Sequence, residues 1–135
     1  MNLIVCVDER NGMAFSGRRL SKDCVVLDKI KNLCSSKRLF LNTYTANLFD
    51  VKDNLCIDDK FLELANEEDW CFAENVDVSA YADSVKSVVL FNWNRKYPFD
   101  LTFPMEIYAQ SWKLVGKEEF SGYSHDKITM EVYVL

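Results

Sequence analysis

An α/β fold is what this sequence predicts: a single three-layer domain on a mixed sheet, parallel at its centre and closed by an antiparallel C-terminal hairpin. Three observations carry that expectation. Strand-like and helix-like runs alternate from Asn2 to Trp93, the order that gives parallel strands covered by helices. The runs Leu3-Ile4-Val5-Cys6-Val7 and Trp70-Cys71-Phe72-Ala73 are apolar at successive positions, so neither face is meant for water. After Val88 to Trp93 the pattern changes, and Trp112-Lys113-Leu114-Val115 and Lys127 to Val134 read as two further strands in a hairpin. At 135 residues the chain has the size of one domain, spanning 1–135 and able to bury roughly two thirds of its unfolded surface.

Taken in order, Asn2 to Val7 reads as a buried central strand, ended by the turn signal Asp8-Glu9-Arg10-Asn11-Gly12. Met13 to Leu20 reads as a loop, broken again at Ser16-Gly17. A helix follows with Ser21 as N-cap and Asp23 in its first turn, where a carboxylate faces the positive end of the helix dipole. Val26, Ile30 and Leu33, with Leu27 and Cys34, recur at three and four and give one apolar stripe, and Ser35-Ser36-Lys37 stops it. Arg38 to Asn42 is the second strand, parallel to the first because a helix joins them. Thr43 or Thr45 caps a short turn through Phe49, and Asp50 to Asn54 is a polar connection. Asp58 or Asp59 caps a helix over Lys60 to Asn66 with Phe61, Leu62 and Ala65 inward. Trp70 to Ala73 is the third strand, Val78 to Tyr81 one helical turn, and Val88 to Trp93 the fourth strand. Tyr97 to Pro104, with a proline near each end, turns the chain into the hairpin.

Composition narrows the partners. Apolar content of 49% excludes disorder. The first apolar run ends at Asp8, too short for a membrane span and without the basic lead-in of a signal peptide, so no membrane association and a cytoplasmic location are expected. Five cysteines, none at two-residue spacing, read as small buried hydrophobes in a reducing compartment. Net charge is −5, and residues 50–83 hold eleven acids against Lys52 and Lys60. Such a surface repels phosphodiester backbones, so nucleic acid is not expected as a ligand; docking of a basic protein partner is an alternative use of it. Arg10, Arg18, Arg19 and Lys22 gather the opposite sign near the first loop, where they suggest a small anion site.

The order of elements, with the residues at both ends, resembles dihydrofolate reductase. The tail carries most of the resemblance: Asp100-Leu101-Thr102-Phe103-Pro104 looks like that family's D-T-x-F-P, followed by a Trp-containing strand at Trp112 and a closing hairpin. The opening strand and Asp8 to Gly12 look like the family's first strand and the start of its mobile loop. Leu39 to Thr45 looks like the segment carrying the cofactor-binding G-R-x-T. The resemblance implies a substrate carboxylate at Asp23, the candidate catalytic residue. It also implies that the Gly and Arg of G-R-x-T are replaced by Asn42 and Thr43, with Thr45 kept. The family's Gly-Gly after the third strand is replaced by Glu74-Asn75, and its Pro-Trp before the first long helix by Arg19-Leu20. A strand near residues 50–55 is expected to be missing. A carboxylate where glycines should admit a pyrophosphate repels it, so NADPH-dependent reduction is expected to be lost, and no cofactor is assigned.

Other chemistries find little support. His125, the single histidine, lies in the turn signal Gly122-Tyr123-Ser124-His125-Asp126 and reads as a hairpin-turn residue. One histidine cannot build a catalytic zinc site, and the H-x-H-x-D-H motif of ribonuclease Z, a label carried by similar short bacterial proteins, is absent. G-x-S-x-G and the Walker loop are absent too. The expectation is a diverged reductase-like protein that binds a small polar or heteroaromatic ligand through Arg18, Arg19, Asp23, Asn42, Thr43, Thr45, Glu74 and Asn75. The alternatives are a protein-interaction module using the acidic 50–83 surface and an oxidoreductase that uses NADH.

Overall fold

The computed structural model describes residues 1–50 and 54–135, so the middle of the expected connection at 50–54 lies outside the described residues. The strands are β1 (Asn2–Val7), β2 (Gly12–Phe15), β3 (Arg18–Arg19), β4 (Leu39–Leu41), β5 (Leu55–Ile57), β6 (Trp70–Phe72), β7 (Ser87–Asn92), β8 (Leu101–Thr102), β9 (Lys113–Phe120) and β10 (Ile128–Val134). The helices are α1 (Cys24–Leu33), α2 (Thr43–Ala46), α3 (Phe61–Leu64) and α4 (Met105–Tyr108), with 3₁₀ turns at Ser79–Ser84 and Ala109–Ser111. Seven strands form one sheet in the order β5-β4-β6-β1-β7-β10-β9, and β3-β2-β8 form a small second sheet.

The expected mixed sheet is present. β1 runs parallel to both β6 and β7, and β4 parallel to β5 and β6, whereas β10 is antiparallel to β7 and β9. Alternation along β1 divides the interior. Leu3, Val5 and Val7 face one core with Phe61, Leu62, Val78 and Tyr108. Ile4 faces the other, with Val26 and Ile30 of α1, Phe72 and Phe91. That is the three-layer arrangement. Full burial of Val26 and Ile30 contributes roughly 1.5–3 kcal/mol each, enough to hold a ten-residue helix that would be marginal alone.

Several local expectations are corrected. Met13 to Leu20 is not a loop but the hairpin β2–β3, turning at Ser16 (φ 51°) and Gly17 (φ 75°). Asp23 rather than Ser21 caps α1, and Asn42 rather than either threonine caps α2, because each places a side-chain oxygen on a free amide two or three residues on. α3 has Lys60 at its N-cap; Asp58 instead closes the preceding turn, and Asp59 accepts from Thr43 N. A short strand not singled out from the sequence, β5, lies parallel to β4. The last hairpin is longer than expected, with β9 running to Phe120.

Candidate functional site

Two polar networks meet at one end of α1. The first is centred on Glu74, just beyond β6, whose carboxylate is 6% exposed. Arg19 on β3 holds it through both nitrogens, Nε to Oε2 at 2.8 Å and Nη2 to Oε1 at 3.0 Å, and Thr45 Oγ1 donates to Oε1 at 2.9 Å. A planar guanidinium fork on a carboxylate is the strongest common ion-pair geometry. The Arg19 guanidinium also lies 4.2 Å over the Tyr44 ring, and Tyr44 Oη accepts from Arg19 N. Asn42 Oδ1 accepts from Thr45 N while its amide donates to Asn75 Oδ1, and Asn75 Nδ2 donates to the Gly17 carbonyl. The hairpin β2–β3 is thus tied to the ends of β4 and β6. Beneath it, burial pushes the Cys6 thiol up, the Glu74 charge adds to that, and Cys6 stays protonated.

The second network is centred on Asp23, 4% exposed. Its Oδ1 accepts from Val25 N and Tyr123 N, and its Oδ2 from Ser124 N, each at 2.9 Å. His125 Nδ1 stands 2.8 Å from Oδ2, and its Nε2 stands 2.8 Å from Ser21 Oγ. Burial raises the Asp23 carboxyl, but the bonds from Tyr123, His125, Ser124 and Val25 outweigh it and hold the group well below the usual carboxylate range. The imidazole stacks on Trp93 with ring centres 4.6 Å apart. Close packing requires Gly122 here, since a Cβ would lie 2.5 Å from Asp23 Oδ2.

Beside the second network a cleft of about 460 Å³ opens between Lys22, Cys24, Leu27, Asn47, Leu48 and Tyr123. A narrow inner end shares Lys22, Asp23, Leu27 and Leu48 with it and reaches Ser21, Phe72, Glu74 and Trp93. With about 10 Å³ free, that inner end has room for about one water.

Of the residues singled out from sequence, Arg19, Asn42, Thr45, Glu74 and Asn75 share the first network, and Asp23 anchors the second. Arg18 is exposed on β3, and exposed Thr43 meets only Asp59 among the hydrogen bonds above, so neither joins them. Sequence reasoning missed Ser21 and His125 as site residues. The signal was an Ser-x-Asp before a helix and a lone histidine in a Ser-His-Asp turn, and nothing local links two segments more than a hundred residues apart.

The sheet order, the α1 position and the closing hairpin define a class: this chain has the dihydrofolate-reductase-like fold. A dihydrofolate reductase from Enterococcus faecalis, solved in complex with NADP(H) and RAB-propyl, superposes with a TM-score of 0.70 over 98% of this chain and 94% of its own, at 12% identity. No family model and no curated protein matches the sequence.

The residues present do not fit the cofactor this fold family implies. The Glu74 carboxylate just beyond β6 is already satisfied by Arg19 and Thr45, so a pyrophosphate brought against it meets a like charge and finds those donors taken. Among the described residues no cluster of three or more His, Cys, Asp or Glu suits a metal ion, and no helix is long and apolar enough to cross a membrane.

Proposed function

We propose that this protein is a diverged member of the reductase-like fold that does not carry out NADPH-dependent reduction and instead takes a small polar or heteroaromatic ligand in the residual cleft. One observation carries the reading: the Glu74 carboxylate, gripped by Arg19 and Thr45, stands where the resemblance places a pyrophosphate. Reading Glu74 as an internal substitute for a bound anion accounts for Thr45 being kept while the glycines are not, with Arg19 as the cation that the carboxylate requires. The same argument counts against an NADH-using oxidoreductase, since NADH carries the same pyrophosphate.

The outer cleft supports the ligand reading. Tyr123, 83% exposed, offers a ring face at the mouth, Lys22 a cation, and Leu27 and Leu48 an apolar wall. The acidic 50–83 surface is partly neutralised within the chain: Glu68 pairs with Lys37 and Lys86, Asp69 with Arg38, and Glu74 with Arg19. The docking alternative therefore has less free charge to work with. Burial pushes the Cys34 and Cys71 thiols up to about 12, so these two stay protonated and unreactive, whereas Cys24 is exposed.

Thermal-shift measurements with folates, pterins, flavins and nucleotides test the reading. A cleft ligand at a hundred times its Kd stabilises by about 2.7 kcal/mol, a rise of roughly 10 °C for a domain this size. That rise is expected to shrink in Lys22→Ala/Tyr123→Ala, whose side chains lie at the mouth. A parent protein that responds to none of these compounds, or a shift that the double variant leaves intact, overturns it.

A further inference from the structure

Ser21, His125 and Asp23 stand in an order that the ligand-binding reading does not use. Asp23 is an acceptor only, so the proton between it and the imidazole sits on Nδ1. In the neutral ring Nε2 then carries the lone pair, and the hydroxyl 2.8 Å away, Ser21 Oγ–H, donates to it. A hydroxyl on a ring nitrogen, whose opposite nitrogen is held by a buried carboxylate, is the arrangement that activates serine as a nucleophile. The remaining contacts sharpen it. Three backbone amides fix the carboxylate, and Trp93 fixes the plane of the ring. His125 is 3% exposed whereas Ser21 is only partly buried, so Ser21 is the member of the relay nearest solvent. A purely structural turn needs the Asp23 bonds to Tyr123 and Ser124; it does not need a hydroxyl on the outer nitrogen.

We propose that Ser21, His125 and Asp23 form a nucleophile relay, and that the protein hydrolyses a small carboxylic ester through an acyl-Ser21 intermediate. Ser21 Oγ bonds to the ester carbonyl carbon as its proton passes to His125 Nε2. The carbon–oxygen bond to the alcohol breaks, and the alcohol leaves with that proton. Water then attacks the acyl carbon and gives a proton to Nε2, which returns it to Ser21 Oγ as the carboxylic acid departs. Asp23 stays ionised and stabilises the imidazolium in both halves. The net change is ester plus water to acid plus alcohol, with nothing oxidised or reduced. The space beside Ser21, walled by Val26, Leu48, Phe72 and Trp93, has room for about one water and not for an acyl group, so the ester lies in the outer cleft and the inner space holds the attacking water of the second step.

Substrate entry rests on the proposed ligand cleft, but the chemistry is tested separately. Purified protein is treated with a small alkyl fluorophosphonate, weighed by intact mass spectrometry and mapped by peptide digestion; p-nitrophenyl acetate hydrolysis is followed in parallel. One adduct on Ser21 is expected, absent from Ser21→Ala and from His125→Gln, with ester turnover at least about 100-fold lower in both. Ser21→Ala is the decisive variant, since losing a partly exposed hydroxyl leaves the Asp23 bonds in place, and a melting point within a few degrees of the parent shows it folded. An unlabelled parent, an adduct on another residue, or unchanged turnover in folded Ser21→Ala overturns the relay. Labelling at Ser21 with no thermal response to any heteroaromatic compound would leave the relay standing and remove the ligand reading; the reverse result would do the opposite.

Discussion

Arg19 and Glu74 make the sharpest single-residue case, because both ends of the pair are largely withdrawn from water: the side chains are 19% and 5% exposed. Removing Arg19 strands a buried carboxylate, and such losses cost about 3–5 kcal/mol. Replacing both partners with apolar groups leaves no charge stranded. Arg19→Met is therefore expected to destabilise by about 3 kcal/mol, and Arg19→Met/Glu74→Leu by clearly less, measured by urea unfolding. If the two single changes simply add, the pair is not coupled and the clamp is not as drawn. Asp23 makes a pH prediction. Its folded carboxyl titrates below the ordinary range, so folding releases a proton that the unfolded chain would hold. The stabilisation is complete above about pH 5 and is lost as pH falls through about 4 and below. Stability measured from pH 7 to 3 should drop more steeply in the parent than in Asp23→Asn, which starts lower and has no such carboxyl to protonate.

At the scale of elements, the turn 122–125 and the hairpin β2–β3 decide what the end of α1 can do. The turn reaches α1 only because Gly122 leaves space: an added Cβ would sit 2.5 Å from Asp23 Oδ2 and 2.8 Å from Ile128 Cδ1. Gly122→Ala is expected to cost roughly 1–3 kcal/mol by overpacking and to reduce Ser21 labelling, since the carboxylate must shift away from His125. An unchanged melting point with full labelling would show that the turn gives way freely. Legibility from sequence followed the range of the interactions. β1, β7 and α1 were legible because their apolar patterns are continuous and long. β5 was not: Leu55-Cys56-Ile57 is three residues followed by Asp58-Asp59, and its strand character comes from pairing with β4 rather than from its own pattern. The hairpin β2–β3 was hidden by Ser16-Gly17, a turn signal that also reads as loop. Asp23, Asn42, Thr45 and Glu74 were found through the family pattern, yet their partners were not. Arg19 meets Glu74 across 55 residues and Asp23 meets His125 across 102, and no local propensity encodes either meeting.

For the molecule as a whole, two cores on opposite faces of one seven-stranded sheet share β1 and β7, which argues that they unfold together. We expect a single domain to give coincident transitions by far-ultraviolet circular dichroism and by fluorescence of Trp70, Trp93 and Trp112; separated midpoints would divide it into independent units. The fold is shared with a dihydrofolate reductase at 12% identity, and fold likeness alone does not assign an activity; the proposed function separates the scaffold from reductase chemistry. The most direct test of that division is a titration of the purified protein with NADPH, followed by quenching of tryptophan fluorescence, with Trp93 at the inner end of the cleft as reporter. On the proposal that Glu74 takes the place of a bound anion, no saturable quenching is expected up to millimolar NADPH. Saturation in the micromolar range would contradict the account.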